Sequence, residues 1–159
     1  MPRGRAGGHT YRARVEWRGS TGAGYRAYPR AHMAWMPPAA DGLGLSADPH
    51  FRGDPDLPNP EQLLVLAVSS CQLLSFLAVA AREGVDVVGY EDDAVGEMPH
   101  DVVPQRITRI TLRPKVTVPG EVDRGVVERL LHEGHQQCYV ANSLTTEVVL
   151  EPRVVRGTA

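Results

Sequence analysis

Two cysteines, Cys71 and Cys138, are the side chains in this chain best suited to covalent chemistry. Cys71 lies in the middle of NPEQLLVLAVSSCQLLSFLAVAAREG, in which residues 63–81 carry no charge. Cys138 lies in HEGHQQCYVANS, four residues after Gly134, a spacing that predicts the inward-facing stripe of a helix. Taken alone, each thiol is better explained as an inert core cysteine, because free cysteine is among the most buried residue types.

Length, charge and cysteine count limit the class of protein in which this cysteine chemistry would occur. A chain of 159 residues is long enough for one domain with a core. A formal net charge of -2 gives no indication of a nucleic-acid or membrane partner. Two cysteines without a secretory signal predict a cytoplasmic protein, where a cysteine pair is more often catalytic or metal-binding than a structural disulfide.

The segment around Cys71 has the signals of one long helix. Asn59 is a suitable N-cap, Pro60 suits the first helical position, and Gly84 follows as a stop signal. Its length approaches the ~20 apolar residues of a membrane span. Its small and polar residues, and the lack of a second such segment, favour a buried helix of a soluble protein. A helix that is apolar all round needs more cover than one small sheet gives, and a partner subunit could supply it.

The remaining elements predict an α+β domain in which antiparallel sheets pack against this long buried central helix and a second helix. The second helix is expected at 121–137, since Val122, Val126 and Leu130 recur at helical spacing. Strands are expected at 10–18, 25–35, 85–95, 107–118 and 145–150. The domain prediction is an N-terminal tail at 1–9, a single domain at 10–152 and a C-terminal tail at 153–159.

A long irregular stretch, 36–58, precedes the Cys71 helix and carries His50, Arg52 and Asp54. Loops of this length without secondary structure are uncommon in compact domains and are usually functional or disordered. It is either a surface loop with solvated charges or a lid that carries a polar group over the cysteine.

Two further function classes are open. His132, His135 and Cys138 could form a Cys2His2 zinc site with Cys71, since tetrahedral zinc accepts these ligands. Side chains three residues apart on a helix point in directions that differ by ~60°. These three ligands therefore converge poorly on one metal ion unless the helix unwinds. The other class is a non-catalytic stress protein that binds a hydrophobic ligand in the same apolar pocket.

Several motifs together resemble the OsmC/Ohr family of organic hydroperoxide reductases. NPEQLLVLAVSSC is similar to the helix start that precedes the family's reactive cysteine, GVDVVGYEDDAVGEM to the strand after that helix, and CYVANS to the segment around the second cysteine. The similarity runs from the first strand to Leu150, and GYRAYPRAH and SADPHFRGD indicate a separate OsmC-like subgroup.

The resemblance implies an intertwined homodimer with the cysteine helices at its centre, and an antioxidant thiol peroxidase of the oxidative stress response. Cys71 would attack an organic hydroperoxide, and Cys138 would close a disulfide on its sulfenic acid. An external dithiol reductant, which the family suggests is a dihydrolipoyl protein, would then reduce the enzyme. No metal or organic cofactor is expected.

The resemblance also implies an arginine, held by a glutamate, that keeps the reactive sulfur ionised. Such help is needed because burial raises a thiol's pKa and the middle of a helix offers no dipole effect. Glu61 matches the glutamate of the family motif. The arginine is expected to be Arg52 in FRGD or, as second choice, Arg30 in YPRAH.

Overall fold

The computed structural model describes residues 8–158. The predicted N-terminal tail, 1–9, lies outside the described residues except for its last two positions. The chain divides into two compact units, 1–60 and 61–159, at the start of the long helix. The prediction of a single domain at 10–152 stays a prediction.

Within its described residues, 8–60, the first unit contains one antiparallel sheet of three strands. β1 (Arg14–Glu16), β2 (His32–Trp35) and β3 (Gly42–Leu45) pair in chain order, and a 3₁₀ helix, Pro49–Phe51, follows. The stretch 36–58, expected to lack secondary structure, therefore contains a strand and a helical turn. The short run GLGL gave no strand signal because glycine is depleted in strands, yet it pairs along its whole length with β2.

As far as residue 158, the last one described, the second unit is built from three helices and six strands. Together with the first unit it confirms the α+β prediction. The helices are α1 (Pro60–Arg82), α2 (Arg124–Gln136) and α3 (Tyr139–Asn142). The strands are β4 (Gly89–Asp92), β5 (Val95–Glu97), β6 (Arg109–Leu112), β7 (Pro114–Val118), β8 (Glu147–Leu150) and β9 (Arg153–Arg156). They form two sheets with the orders β4-β7-β9 and β5-β6-β8.

The strands of these two sheets come in three consecutive pairs, β4 and β5, β6 and β7, and β8 and β9, each interrupted by a short break. One strand of each pair lies in each sheet, and the three breaks lie next to one another. Arg113, between β6 and β7, holds the break together: its backbone N–H donates to Asp92 Oδ1 at 2.6 Å and its Nε donates to Glu151 Oε2 at 2.9 Å. The Ser69 hydroxyl of α1 donates to the other oxygen of Asp92 at 2.5 Å. Through Asp92, the break between β6 and β7 is therefore hydrogen-bonded to α1 at Ser69, two residues before Cys71.

Two sequence-based expectations need correction. The sheets are not purely antiparallel, because β8 pairs in parallel with β6 and β9 in parallel with β7. The physical reason is that α2 and α3 lie in the crossover between the paired strands, as parallel connections require. The segment 153–159 is not simply a tail, since residues 153–156 form β9.

α1 packs against two separate hydrophobic cores. Its first half contributes Val68 to a core with Ile110 and Leu112 of β6. Its second half contributes Phe76, Val79 and Ala80 to a core whose other buried members come from β7 and α2: Val116, Val118, Val127, Leu130 and Leu131. Cys71 lies between the two cores.

Within the single chain, α1 is buried along one stripe rather than all round. The opposite side exposes Leu66, Leu74 and Leu77, with 61%, 64% and 37% of their surface accessible. By length and composition α1 could cross a membrane, and only 28% of its most apolar stretch is buried. A core helix of a soluble protein also has such length and composition.

Candidate active site

The end of α2 lies against the middle of α1 at one close contact. A Cβ added to Gly134 would come within 2.8 Å of Phe76 Cα and 2.9 Å of Phe76 N. Only glycine allows the two backbones to approach so closely. This contact brings the residues that follow α2 beside the part of α1 that carries Cys71.

Cys138 lies between α2 and α3 and is completely buried. Its backbone N–H donates to the His135 carbonyl, and its sulfur accepts a 3.5 Å hydrogen bond from the Ala141 N–H at the start of α3. The sequence predicted Cys138 at the end of the second helix, on its inward-facing stripe. The helix ends at Gln136, and Cys138 is instead the N-cap of the next helix, α3.

The two thiols contact each other. Both cysteines are free, and the Cys138 thiol donates a hydrogen bond to the Cys71 sulfur. Cys71 is half-buried while Cys138 is inaccessible. The structure therefore leaves one thiol partly accessible and keeps the second, which interacts with it, out of solvent.

Opposing influences set the acidity of Cys71. Burial is the largest and raises the pKa of its thiol, because a charged sulfur is poorly solvated there. Hydrogen bonds to the sulfur together outweigh burial and leave the pKa below that of an ordinary thiol. In order of effect, the donors are the Val140 N–H, the Cys138 thiol, the Ser75 hydroxyl and the Tyr139 N–H.

Cys138 has the opposite character. Burial has the largest effect and raises the pKa of its thiol, and the Ala141 N–H, next in effect, lowers it. The neighbouring Cys71 also raises it, through the shared hydrogen bond and charge repulsion, and the net pKa is about 11. Cys71 is therefore the more acidic thiol of the pair, and Cys138 is the partner that keeps its proton and donates the hydrogen bond.

This difference gives a pH prediction. Iodoacetamide should alkylate reduced protein at Cys71 with a midpoint pH below that of an ordinary thiol, and should leave Cys138 unmodified throughout the neutral range. Peptide mass spectrometry across a pH series measures both sites. Equal labelling of the two cysteines in folded protein would contradict the assignment of unlike acidities.

Glu61 occupies the first turn of α1 and is half-buried. A carboxylate there is favoured by the helix dipole whatever else it does. Arg52 is exposed, has a positive φ of 66°, and closes the 3₁₀ helix through its backbone N–H to the Pro49 carbonyl.

Arg30 is held within its own unit. Its guanidinium donates to the Tyr25 and Tyr28 carbonyls and lies over both tyrosine rings, 4.7 and 3.7 Å from their centres. The roles of Glu61, Arg52 and Arg30 stay predictions.

The sequence did not indicate several groups around the thiols. The backbone N–H groups of Tyr139 and Val140 have no sequence signal. Helical spacing places Ser75 on the same face as Cys71, one turn later, but gives it no role. Tyr90 lies nearby, with a buried hydroxyl that has no partner among residues 8–158. Burial, Asp92 and Cys138 raise the pKa of this phenol.

The zinc alternative is not supported. Within the described part of the chain, no group of three or more His, Cys, Asp or Glu side chains could hold a metal ion. His135 lies in the last turn of α2, where burial and the neighbouring His132 lower the pKa of its imidazole.

Comparison with known proteins places this site in context. The family profile described as OsmC-like protein matches residues 53–153. An OsmC-like protein of unknown function from Vibrio cholerae is 31% identical, with a TM-score of 0.81 and coverage of 91% of this chain and 99% of that one.

Two organic hydroperoxide resistance proteins share the fold. The one from Elizabethkingia anophelis is 15% identical, with a TM-score of 0.68 and coverage of 96% of this chain and 99% of that one. OhrB of Bacillus subtilis is 16% identical, with a TM-score of 0.62 and coverage of 92% and 98% respectively. No curated protein sequence matches the chain significantly.

Proposed function

This chain belongs to the family of OsmC-like proteins, and from that premise we propose that it is a thiol peroxidase that reduces organic hydroperoxides to alcohols. The observation that carries the proposal is the hydrogen-bonded pair of an accessible, acidic Cys71 and a buried, weakly acidic Cys138. The same fold in organic hydroperoxide resistance proteins supports a role in peroxide stress.

The first step uses the Cys71 thiolate. Its sulfur attacks the distal oxygen of the hydroperoxide, the O–O bond breaks, and the departing alkoxide takes a proton to leave as an alcohol. Cys71 becomes a sulfenic acid. The N–H groups of Val140 and Tyr139 supply hydrogen bonds that favour the thiolate before this attack.

The second step uses the Cys138 thiol. Its sulfur attacks the Cys71 sulfur, the S–O bond breaks, and hydroxide leaves as water with the Cys138 proton, so that a disulfide remains. Because Cys138 is held as a thiol until then, it does not compete with Cys71 for peroxide.

An external dithiol then reduces the disulfide, and a dihydrolipoyl protein is the reductant suggested by the family. No metal or organic cofactor takes part in these steps. A reducing cytoplasm suits this cycle, since both cysteines must return to free thiols.

The test is direct. Freshly reduced protein should consume cumene hydroperoxide with formation of the alcohol, and peptide mass spectrometry should then find Cys71 joined to Cys138. A protein that binds a hydrophobic ligand without chemistry would instead leave the hydroperoxide concentration unchanged while both thiols stay free.

We also propose that Arg52, held by Glu61, activates Cys71, with Arg30 as the alternative. Arg52 is favoured because its guanidinium makes no hydrogen bond or ion pair within residues 8–158, whereas that of Arg30 is occupied by two carbonyls. Arginine suits the role since it stays charged when buried.

Arg52→Ala and Glu61→Ala should lower peroxidase activity and slow alkylation of Cys71 at neutral pH, because loss of a nearby cation raises a thiol's pKa. The expected loss is about tenfold, corresponding to about one pKa unit. Arg26→Ala, at an exposed arginine of the same unit, is the matched control. Loss of activity in Arg30→Ala but not Arg52→Ala would identify Arg30 as the activating residue.

We further propose an obligate homodimer in which a second copy covers the exposed side of α1. The supporting observation is that Leu66, Leu74 and Leu77 share a largely uncovered face of a helix that is apolar along most of its length. Obligate interfaces are hydrophobic and bury more than ~2,000 Å².

Light scattering should therefore report a dimer at micromolar concentration. Leu74→Glu should weaken it, because a charge would be buried at the interface. Val103→Glu, at an apolar residue of a loop that is 90% exposed, should leave the dimer intact. A folded monomer, or binding of the parent to lipid vesicles through α1, would contradict the homodimer.

A further inference from the structure

Gln72, which directly follows Cys71, joins α1 to α2. Its side chain is completely buried, and its Nε2 donates a 3.0 Å hydrogen bond to the Leu131 carbonyl of α2. A carbonyl oxygen has two lone pairs, so Leu131 can accept this bond in addition to one from its own helix.

Stability alone does not explain a glutamine here. The other polar atom of its amide, Oε1, is buried and has no hydrogen-bond partner among residues 8–158. A buried polar group without a partner destabilises the folded state, whereas an apolar side chain of equal length would fill the same space without that penalty.

The Gln72 bond adds what close packing cannot supply. The contact of Gly134 with Phe76 limits how near the two helices come, but apolar packing contacts of this kind are not directional. A hydrogen bond is directional, and this one fixes α2 two turns before Cys138. Rotation of α2 would move the Cys138 thiol away from the Cys71 sulfur that accepts its hydrogen bond.

We propose that Gln72 is a positioning residue that holds α2 at the rotation needed for disulfide closure. This inference rests on the proposed function. In closure, the Cys138 sulfur must approach the Cys71 sulfur in line with the bond that breaks, and a misplacement of about 1 Å can cost about 100-fold in rate.

Gln72→Met separates positioning from stability, because methionine has the same length and no polar atom. The thermal midpoint should stay the same or rise, while closure of the Cys71–Cys138 disulfide slows about 10- to 100-fold. Closure is driven with diamide, a thiol oxidant that requires no peroxidase activity, and is followed by mass spectrometry of quenched samples. Gln105→Met, at an exposed loop residue, is the matched control and should close at the parental rate.

Gln72→Glu provides a second signature. The protonated carboxyl can still donate to the Leu131 carbonyl, while the ionised form would repel it, and burial raises the pKa of such a carboxyl. The rate of disulfide closure in Gln72→Glu, divided by the parental rate at the same pH, should therefore be near one in acid and fall as the carboxyl ionises.

Parental closure rates in both variants at all pH values would overturn the proposal. So would a Gln72→Met protein that is destabilised, because Gln72 would then be a structural residue. If these shifts occur but the parent does not consume hydroperoxide, the proposed function fails and the positioning role stands.

Discussion

Cys71→Ser is expected to abolish hydroperoxide consumption from the first turnover. A serine hydroxyl is not ionised at neutral pH, so the backbone N–H groups of Tyr139 and Val140 would have no thiolate to stabilise. The remaining thiol, Cys138, is completely buried and has a pKa raised to about 11. It can neither reach the peroxide nor ionise enough to replace Cys71, so the loss should exceed about 1,000-fold.

Cys138→Ser should behave differently and thereby separates the two roles. Cys71 should still consume about one equivalent of hydroperoxide per site, because attack on the peroxide needs only the first sulfur. The enzyme should then stop or over-oxidise, with Cys71 sulfinic acid detected by mass spectrometry.

A single-turnover assay with one equivalent of cumene hydroperoxide distinguishes the outcomes. Equal loss of the first turnover in both variants would show that the thiols act as a unit, as metal ligands do, rather than as attacker and resolver. First-turnover activity in Cys71→Ser would reverse the assignment of the two cysteines.

The helices could be predicted from the sequence because their signals are local. Pro60 at the first helical position and Gly84 after the last turn set the ends of α1 within a few residues. β9 and the parallel pairing could not be predicted in this way. The partners of β8 and β9 lie 38 residues earlier in the chain, and pairing across a crossover leaves no local pattern.

For the candidate site, the sequence could predict the two cysteine side chains but not the backbone groups around them. A thiol between two apolar runs and a second thiol after a helix could be recognised from motif and spacing. The donors that lower the pKa of Cys71 are largely backbone N–H groups, which every residue type but proline carries. The end of α2 at Gln136 was predicted to within one residue, but the short helix α3 that Cys138 caps was not.

Gly134→Ala should separate α1 from α2 and impair the thiol pair. The new Cβ would lie 2.8 Å from the backbone of Phe76, which cannot move aside as a flexible side chain can. Overpacking of this kind typically costs about 1–3 kcal/mol, which outweighs the gain of about 1 kcal/mol from replacing glycine by alanine in a helix. The shift carries Cys138 with it, so disulfide closure after one equivalent of hydroperoxide should slow by about tenfold or more.

Gly125→Ala is the matched control, because Gly125 lies near the start of the same helix and is exposed. A Cβ there would meet only the Asp123 side chain, at 3.1 Å. Alanine at this position should leave closure at the parental rate and keep or raise the free energy of unfolding. If thermal melts and single-turnover closure are the same for both variants, the close contact of Gly134 with Phe76 does not set the distance between the thiols. Slower closure in Gly134→Ala alone would show that this backbone contact brings Cys138 to Cys71.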